Sequence, residues 1–551
     1  MKVIVSGPNL KETTFECEVG TKVEDILNII KDKMPYPIYA CRLDNAYRSL
    51  THIIGHDSYI EFLDIRNQAT WLIYQNSLIL LFIKALHDIC GKRYKVSVRN
   101  SINKGLYLTT NYEINEETLL KIEKQMKLLV EKDIPIIKKW SNQKNAKRIA
   151  KQLKQEETYR IIDTMPTIQD LSIYSLDDET QIFYSLMVPS TSYLKYFELR
   201  KYKHGILMRF PHQKDPSLIL PNEEEEILYE AFKQTYGWGK ITGIKYISDM
   251  NEKASCNHED LFLLQEALHN KRINELSEEI LKRESRIVLI CGPSSSGKTT
   301  FAKRLCIQLQ VSGKKTLYLG TDDYFLDRAD MEVDENGEKD FESLSAVDID
   351  LFSEQMNSLL KGELTDIPIF DFINGEKIFG QRKTKINSDT IVVIEGIHAL
   401  NPKLTEKIED NGFYKIYISP FSPISLDRIN RFPTTDARML RRLVRDYQFR
   451  GRPAKQTLNE WHKVRAGEDN NIFPLANSAD AFFNSNCIYE MNVLKKYAEP
   501  LLKEIKREEK EYADAQRMLG YLSLVKAIED DGLIVNNSII REFIGGSAIV
   551  K

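Results

Sequence analysis

The sequence predicts an α/β chain: a parallel sheet flanked by helices in its C-terminal half, preceded by a small α+β module and a second α+β domain. Three observations carry this reading. From residue 286 onward strand and helix patterns alternate, with strands at 286–291, 316–319, 391–394 and 415–419 and helices at 299–311, 348–360 and 436–449; such alternation builds a parallel sheet wrapped by helices. The first of these strands, Ile287-Val-Leu-Ile-Cys291, runs straight into Gly292-Pro-Ser-Ser-Ser-Gly-Lys-Thr-Thr300. Upstream, residues 1–250 mix short β-rich runs with occasional helical stripes.

Taken in order, residues 1–66 hold β-rich Lys2–Val5, Thr14–Cys17 and Tyr59–Leu63 around helical Val23–Lys31, with turns at Gly7-Pro8 and Gly55. Residues 67–250 begin with Leu78, Leu81, Phe82, Ala85 and Leu86 at helical spacing, followed by strand-like Tyr94–Val98 and one long helical pattern from Glu116 to about Leu153. Strand-like Gln181–Met187, Phe197–Leu199 and Ile206–Phe210 continue this domain, and the acidic run Glu223–Glu226 reads as the solvated first turn of a helix. Residues 251–285 form a charged amphipathic linker helix, residues 286–487 the alternating α/β domain, and residues 488–551 a charged helical C-terminal segment. Its Arg541-Glu-Phe-Ile-Gly-Gly-Ser547 carries a glycine pair that permits a tight turn or a close backbone approach, with interface and ligand contact both open.

Composition narrows the class. The chain has 551 residues, 42% apolar and 28% charged, enough for three or four ordinary globular domains. A net charge of −3 and a pI near 6.4 supply no global field for nucleic acid or an anionic membrane, so a nucleic-acid role would need a local basic face on residues 1–250. The seven scattered cysteines fit reduced thiols, and neither a signal-like start nor an apolar run longer than Leu78–Ile83 appears. The expectation is a cytoplasmic protein without a membrane partner; homo-oligomerisation stays open.

Gly292-x-x-x-x-Gly297-Lys298-Thr299 is a phosphate-binding loop. Its glycines let backbone N–H groups turn inward on phosphate oxygens, Lys298 reaches the terminal phosphates and the Thr299 hydroxyl suits Mg²⁺. Strand 316–319 ends in Asp322-Asp323, where one carboxylate can take a proton from an alcohol while either could instead cap the next segment. Strand 391–394 ends in Glu395-Gly396, fit for Mg²⁺ or for a turn. Arg438, Arg441, Arg442, Arg445, Arg450 and Arg452 lie on and after one helix with few acids in the stretch, suiting a phosphate-facing lid. His398 is read as a packed residue rather than a substrate contact, and His52 and His56 lack further ligands for zinc.

Residues 286–485 resemble the uridine kinase and phosphoribulokinase group of phosphate-loop kinases. The likeness rests on Gly292–Thr300, Asp322-Asp-Tyr-Phe325, Ile394-Glu-Gly-Ile397, and Arg441-Arg-Leu-Val-Arg-Asp446 followed by Arg450-Gly-Arg452 and Gln456. The resemblance implies a P-loop kinase domain that uses ATP and Mg²⁺ to phosphorylate the 5′-hydroxyl of a nucleoside, with Asp322 as base. It implies that Gly292, Pro293, Ser294, Ser295, Ser296, Gly297, Lys298, Thr299 and Thr300 hold ATP, and that Thr299 and Glu395 serve Mg²⁺. It further implies a lid of Arg441, Arg442, Arg445, Arg450 and Arg452, with Arg441 and Arg445 catalytic. Glu342, within Phe341-Glu-Ser-Leu-Ser-Ala-Val-Asp348, would bind ribose hydroxyls; Phe370 and Phe372 would pack on the base, with Gln456 on the substrate side. Phe370 stands where the family has tyrosine and Gly375 near its histidine, which leaves base choice open; both phenylalanines also fit a strand core. Another small alcohol, such as pantothenate or a sugar phosphate, is the alternative acceptor, and an RNA-binding regulator with a nucleotide switch the alternative class.

Residues 1–66 resemble the ubiquitin-like TGS module of threonyl-tRNA synthetases. Residues 70–212 resemble the editing-type domain that follows it, through Ser101-Ile-Asn-Lys-Gly-Leu-Tyr107 and Val188-Pro-Ser-Thr-Ser-Tyr-Leu-Lys-Tyr-Phe197. Where that family carries metal-binding histidines and a cysteine, this chain has Asn76, Leu80 and Ser185-Leu186-Met187. A scaffold without metal-dependent editing is expected.

Overall fold

The computed structural model describes residues 1–550 except 103, 166–169, 214–215, 217, 257, 334–338 and 411. Asn103 of the Ser101–Tyr107 motif lies outside the described residues. At the N-terminus, Lys2–Gly7 and Ser58–Asp64 pair in parallel at the centre of a five-stranded sheet flanked by Leu10–Glu16 on one side and by Ile38–Leu43 and Ala46–Arg48 on the other. Helix Val23–Ile30 buries Val23, Ile26, Leu27 and Ile30 in the core of this α+β module. Sequence reading missed Ile38–Leu43, because a strand buried along its whole length shows no alternation.

The second domain is organised by helix Gln68–Cys90. Its length and composition would let it cross a membrane, yet 83% of its apolar window is buried inside the protein. Its side chains share one apolar cluster with strands of two antiparallel sheets, of order Glu198–Tyr202, Gly205–Arg209, Gly105–Thr110, Val96–Ile102 and of order Glu179–Ile182, Asp170–Leu176, Ile136–Asn142. The long helical pattern expected over 116–153 is broken into helix Glu116–Glu131, strand Ile136–Asn142 and helix Gln143–Gln152. Asp133 at φ 49° and Pro135 end the first helix, and residues 136–142 then pair with 170–176. The expected strand 181–187 shrinks to Glu179–Ile182, and of the acidic run only Glu226 enters helix Glu226–Thr242.

The C-terminal half contains the predicted parallel sheet, in the order Lys315–Gly320, Thr390–Glu395, Ile287–Cys291, Phe413–Ser419, Ala481–Asn484. Every residue of the central strand Ile287–Cys291 is buried. The edge strand Ala481–Asn484 is too short to show a period in the sequence. Helix Glu259–Lys282 lies against helix Lys298–Val311: Arg304 meets Glu266 at 3.0 Å and Asn270 at 2.7 Å, and Gln308 bonds Asn274 at 2.9 Å. Helices Glu490–Lys503 and Tyr512–Leu522 share the apolar core of helix Thr434–Arg450.

Candidate active site

The phosphate loop leaves the buried end of the central strand, and its shape depends on two glycines. A Cβ on Gly292 would lie 2.1 Å from the Ile418 carbonyl oxygen, and Gly297 turns at φ 82° into helix Lys298–Val311. Ser295 shares the left-handed conformation at φ 60°. Among the described residues the buried Ser295 and Ser296 hydroxyls have no hydrogen-bond partner, so the loop holds donors that no described residue satisfies. Two interior ion pairs brace it from behind. Arg438 forks onto Glu468, whose other contacts include the Ser294 N–H at 3.1 Å, and donates to the Ser294 carbonyl at 3.1 Å. Arg441 forks onto Glu490 at 2.5 and 2.6 Å and donates to the carbonyls of Ser295 at 3.3 Å and Ser485 at 2.9 Å. Arg442 donates to the Ser294 hydroxyl at 2.9 Å, and Lys298 Nζ rests 3.3 Å from the Pro293 carbonyl.

Carboxylates converge on this loop from neighbouring strand ends. Glu395 accepts hydrogen bonds from Thr299 Oγ1 at 2.8 Å and the Tyr318 hydroxyl at 2.9 Å. Asp323 accepts from Arg382 at 3.0 Å and from the Phe370 N–H at 3.4 Å, whereas the Asp322 carboxylate has no hydrogen bond or ion pair among the described residues. Asp322 is open at the cleft surface, yet the surrounding protein raises its pKa against the opposing pull of Lys298. Burial likewise raises Glu395, and burial together with Glu468 pushes Glu342 up to about 7. Lys298 works against all three shifts, so one ammonium group faces Asp322, Glu342 and Glu395 together.

A glycine-rich loop under a parallel sheet, with a hydroxyl and a carboxylate side by side and a free aspartate opposite, is the layout of a phosphotransferase. Residues 287–490 match the model of the phosphoribulokinase/uridine kinase family. This region is a domain of that family. A uridine kinase from Staphylococcus haemolyticus is 29% identical over 178 residues, covering 32% of this chain and 76% of the relative. Among solved structures, a possible uridine kinase from Bacillus stearothermophilus is 17% identical with a TM-score of 0.27 and covers 39% of this chain and 98% of its own. D-glycerate 3-kinase from Cryptococcus neoformans is 13% identical with a TM-score of 0.21, covering 46% of this chain and 87% of its own.

Within the phosphoribulokinase/uridine kinase domain the arginines depart from the expected lid. Arg441 is fully buried behind the loop, so it acts as a strut and cannot swing over a nucleotide. Arg445 and Arg450 share Asp446, at 2.7 and 3.6 Å, and these two turn their charge toward Asp322. Desolvation, with the neighbouring Arg445 adding to it, pushes Arg450 down to about 10 against the opposing pull of Asp446. Arg452 pairs with Glu460 at 2.8 Å. The acids that seemed scarce come from elsewhere: Glu460, Glu468 and Glu490 all lie outside the arginine stretch.

The rings of Phe325, Phe341, Phe370 and Phe372 pack edge to face, with Phe370 buried and Phe372 57% exposed. Gln456 is exposed and bonds Glu460 at 2.9 Å. His398 is fully buried and burial pushes it down to about 4; it is a neutral, packed residue near the backbone of Glu342 and Ser343. Gly467, unremarked in the sequence, packs where a Cβ would come 2.6 Å from Glu342 Cβ. Thr300, buried in the first helical turn, gives both its N–H and its hydroxyl to Glu542. Glu266, His269 and Cys487 also cluster, but Glu266 already pairs with Arg304, and Gln265 Nε2 faces His269 Nε2 at 2.9 Å while its Oε1 holds the Ile488 N–H. That orientation puts the histidine proton on Nδ1 and spends the Nε2 lone pair on the Gln265 amide.

Proposed function

We propose that the domain transfers the γ-phosphoryl group of ATP to the 5′-hydroxyl of a nucleoside of the uridine or cytidine kind. The observation that carries this is the division of labour between adjacent aspartates. Asp323 is spent on Arg382 and the Phe370 N–H, which leaves Asp322 free beside Lys298 to accept a proton. In the step, Asp322 takes the hydroxyl proton, the alcohol oxygen bonds to the γ-phosphorus, and the bond to the bridging oxygen breaks to release ADP. Loop N–H groups and the unpartnered Ser295 and Ser296 hydroxyls suit phosphate oxygens, with Lys298, Arg445 and Arg450 opposing the charge that develops. Thr299 Oγ1 and Glu395, 2.8 Å apart, are hard oxygen donors that fit Mg²⁺, with water completing its shell. Bound there, the ion supplies neutralisation of phosphate charge.

Glu342 would accept ribose hydroxyls, and the edge of Phe372 gives a base a ring to lie against. A phosphorylated alcohol is the second reading, favoured by exposed Arg328, whose backbone N–H donates to Gly375 at 2.6 Å and whose guanidinium donates to the Phe372 carbonyl at 3.0 Å. A screen of nucleosides, pantothenate and sugar phosphates with ATP and Mg²⁺, read as ADP release, separates the two; turnover with no alcohol in the panel would reject both.

For residues 1–250 we propose a synthetase-like scaffold without editing chemistry. Asn76 donates to the Ser185 hydroxyl at 2.7 Å and Leu80 is fully buried, so neutral groups meet where a metal would need imidazole or thiolate.

A further inference from the structure

The C-terminal segment is docked on the phosphate loop by a charged contact that the proposed reaction does not use. Glu542 Oε2 accepts the Thr300 N–H at 3.2 Å and the Thr300 hydroxyl at 2.6 Å. Thr300 is the third residue of helix Lys298–Val311, so its N–H is one of the first-turn donors that have no partner within the helix. Those donors are what a phosphate loop offers to a nucleotide. A carboxylate therefore stands on a donor that a phosphate would use.

The rest of the segment is built to hold that carboxylate in place. Ile539 and Phe543 are fully buried; Ile539 Cγ2 would lie 2.5 Å from a Cβ on Gly297, and the Phe543 ring lies 4.9 Å beneath the Arg441 guanidinium. Arg541 points away from the loop and clasps the carbonyls of Asp531 and Ile534 at 2.8 and 2.7 Å, while Lys303 donates to the Ile549 carbonyl at 3.3 Å. Next to this contact the Ser295 and Ser296 hydroxyls remain buried and unpartnered. The tail thus takes both the N–H and the hydroxyl of Thr300, while the Ser295 and Ser296 hydroxyls have no partner among the described residues.

We propose that residues 536–550 are an autoinhibitory latch, in which Glu542 occupies part of the phosphate-binding N-terminus of helix Lys298–Val311 and must leave when ATP binds. The inference rests on the reading that ATP binds the Gly292–Thr300 loop. A nucleotide phosphate at Thr300 displaces the carboxylate outright, and a phosphate that stops short of Thr300 meets it as a like charge at close range. Either way, ATP and the docked tail oppose each other, and by linkage whatever holds the tail down weakens ATP binding by the same factor.

The test uses the full-length protein. ATP affinity is measured by calorimetry for wild type, Glu542→Ala and Glu542→Gln, with hydrogen exchange of the 531–550 peptides followed with and without ATP. Removing the charged contact is expected to tighten ATP binding about tenfold, which corresponds to about 1.4 kcal/mol. Glu542→Gln, which keeps the acceptor oxygen and the shape, should move affinity in the same direction by less, and it stands in if the alanine variant misfolds. ATP should speed exchange in residues 536–550 of the wild type. A plain helix cap predicts the opposite pattern: a lower melting temperature with ATP affinity equal or weaker, and tail exchange unmoved by ATP; that result overturns the latch. If neither wild type nor either variant binds ATP at millimolar concentration, the kinase reading fails and the latch with it, an outcome distinct from equal affinities.

Discussion

Arg441 and Glu490 form a fully buried ion pair of 2.5 Å, and the same guanidinium holds the Ser295 carbonyl at 3.3 Å. The phosphate loop is thereby fixed from its inner side by a charge that never meets solvent. Breaking such a pair from one side leaves an uncompensated interior charge, which costs about 3–5 kcal/mol. Glu490→Gln should lower the calorimetric unfolding temperature and weaken ATP binding together. Weakened binding at an unchanged melting temperature would mean that Glu490 acts on the nucleotide and not on the loop.

Gly467→Ala separates the two halves of the site. Gly467 lies in helix Ala454–Asn471, and within a helix glycine to alanine normally stabilises by about 1 kcal/mol. Here the new Cβ would press on Glu342 Cβ from 2.6 Å, so the carboxylate shifts. The acceptor KM should rise severalfold while ATP affinity holds, as measured by initial rates with each substrate varied in turn.

Glu342 gives the protein two opposed pH responses. Its folded pKa of about 7 exceeds the ordinary carboxylate value, so between about 4.5 and 7 the folded state holds a proton that the unfolded chain has released. Its contribution to stability is therefore greatest at the acid end of that window and is lost as pH rises toward 7. A carboxylate that accepts ribose hydroxyls works only when ionised, so acceptor KM should fall over the same rise. Glu342→Gln should flatten both profiles.

Glu395 is also raised by burial, which means that folding disfavours its ionised form. Glu395→Gln should melt higher than wild type in the absence of metal, yet need about tenfold more Mg²⁺ for half-maximal turnover. A variant that melts higher with an unchanged Mg²⁺ requirement would remove Glu395 from the metal site.

How much of this was legible in the sequence follows the range of each interaction. The central strand and its loop are contiguous, so Ile287–Thr300 could be read directly. The long run 116–153 misled, since Lys- and Ile-rich residues 136–142 satisfy a helical pattern as readily as a strand until Asp133 and Pro135 break the chain. The role of Arg441 was hidden for a different reason: its partner lies 49 residues away, on a helix the sequence does not connect to the loop. Choosing between Asp322 and Asp323 likewise needed Arg382, 59 residues downstream of the latter.

The most direct test of the account compares two neighbouring carboxylates. With the alcohol and ATP that support turnover, single-turnover rates and ATP affinity are measured for Asp322→Asn and Asp323→Asn. Loss of the base should cut the rate of phosphoryl transfer by about 10²–10⁴ while ATP affinity stays near wild type. Asp323→Asn, which disturbs only the Arg382 and Phe370 contacts, should retain most of the rate, with its effect in the acceptor KM. Near-normal turnover in Asp322→Asn, or the larger loss in Asp323→Asn, would contradict the assignment.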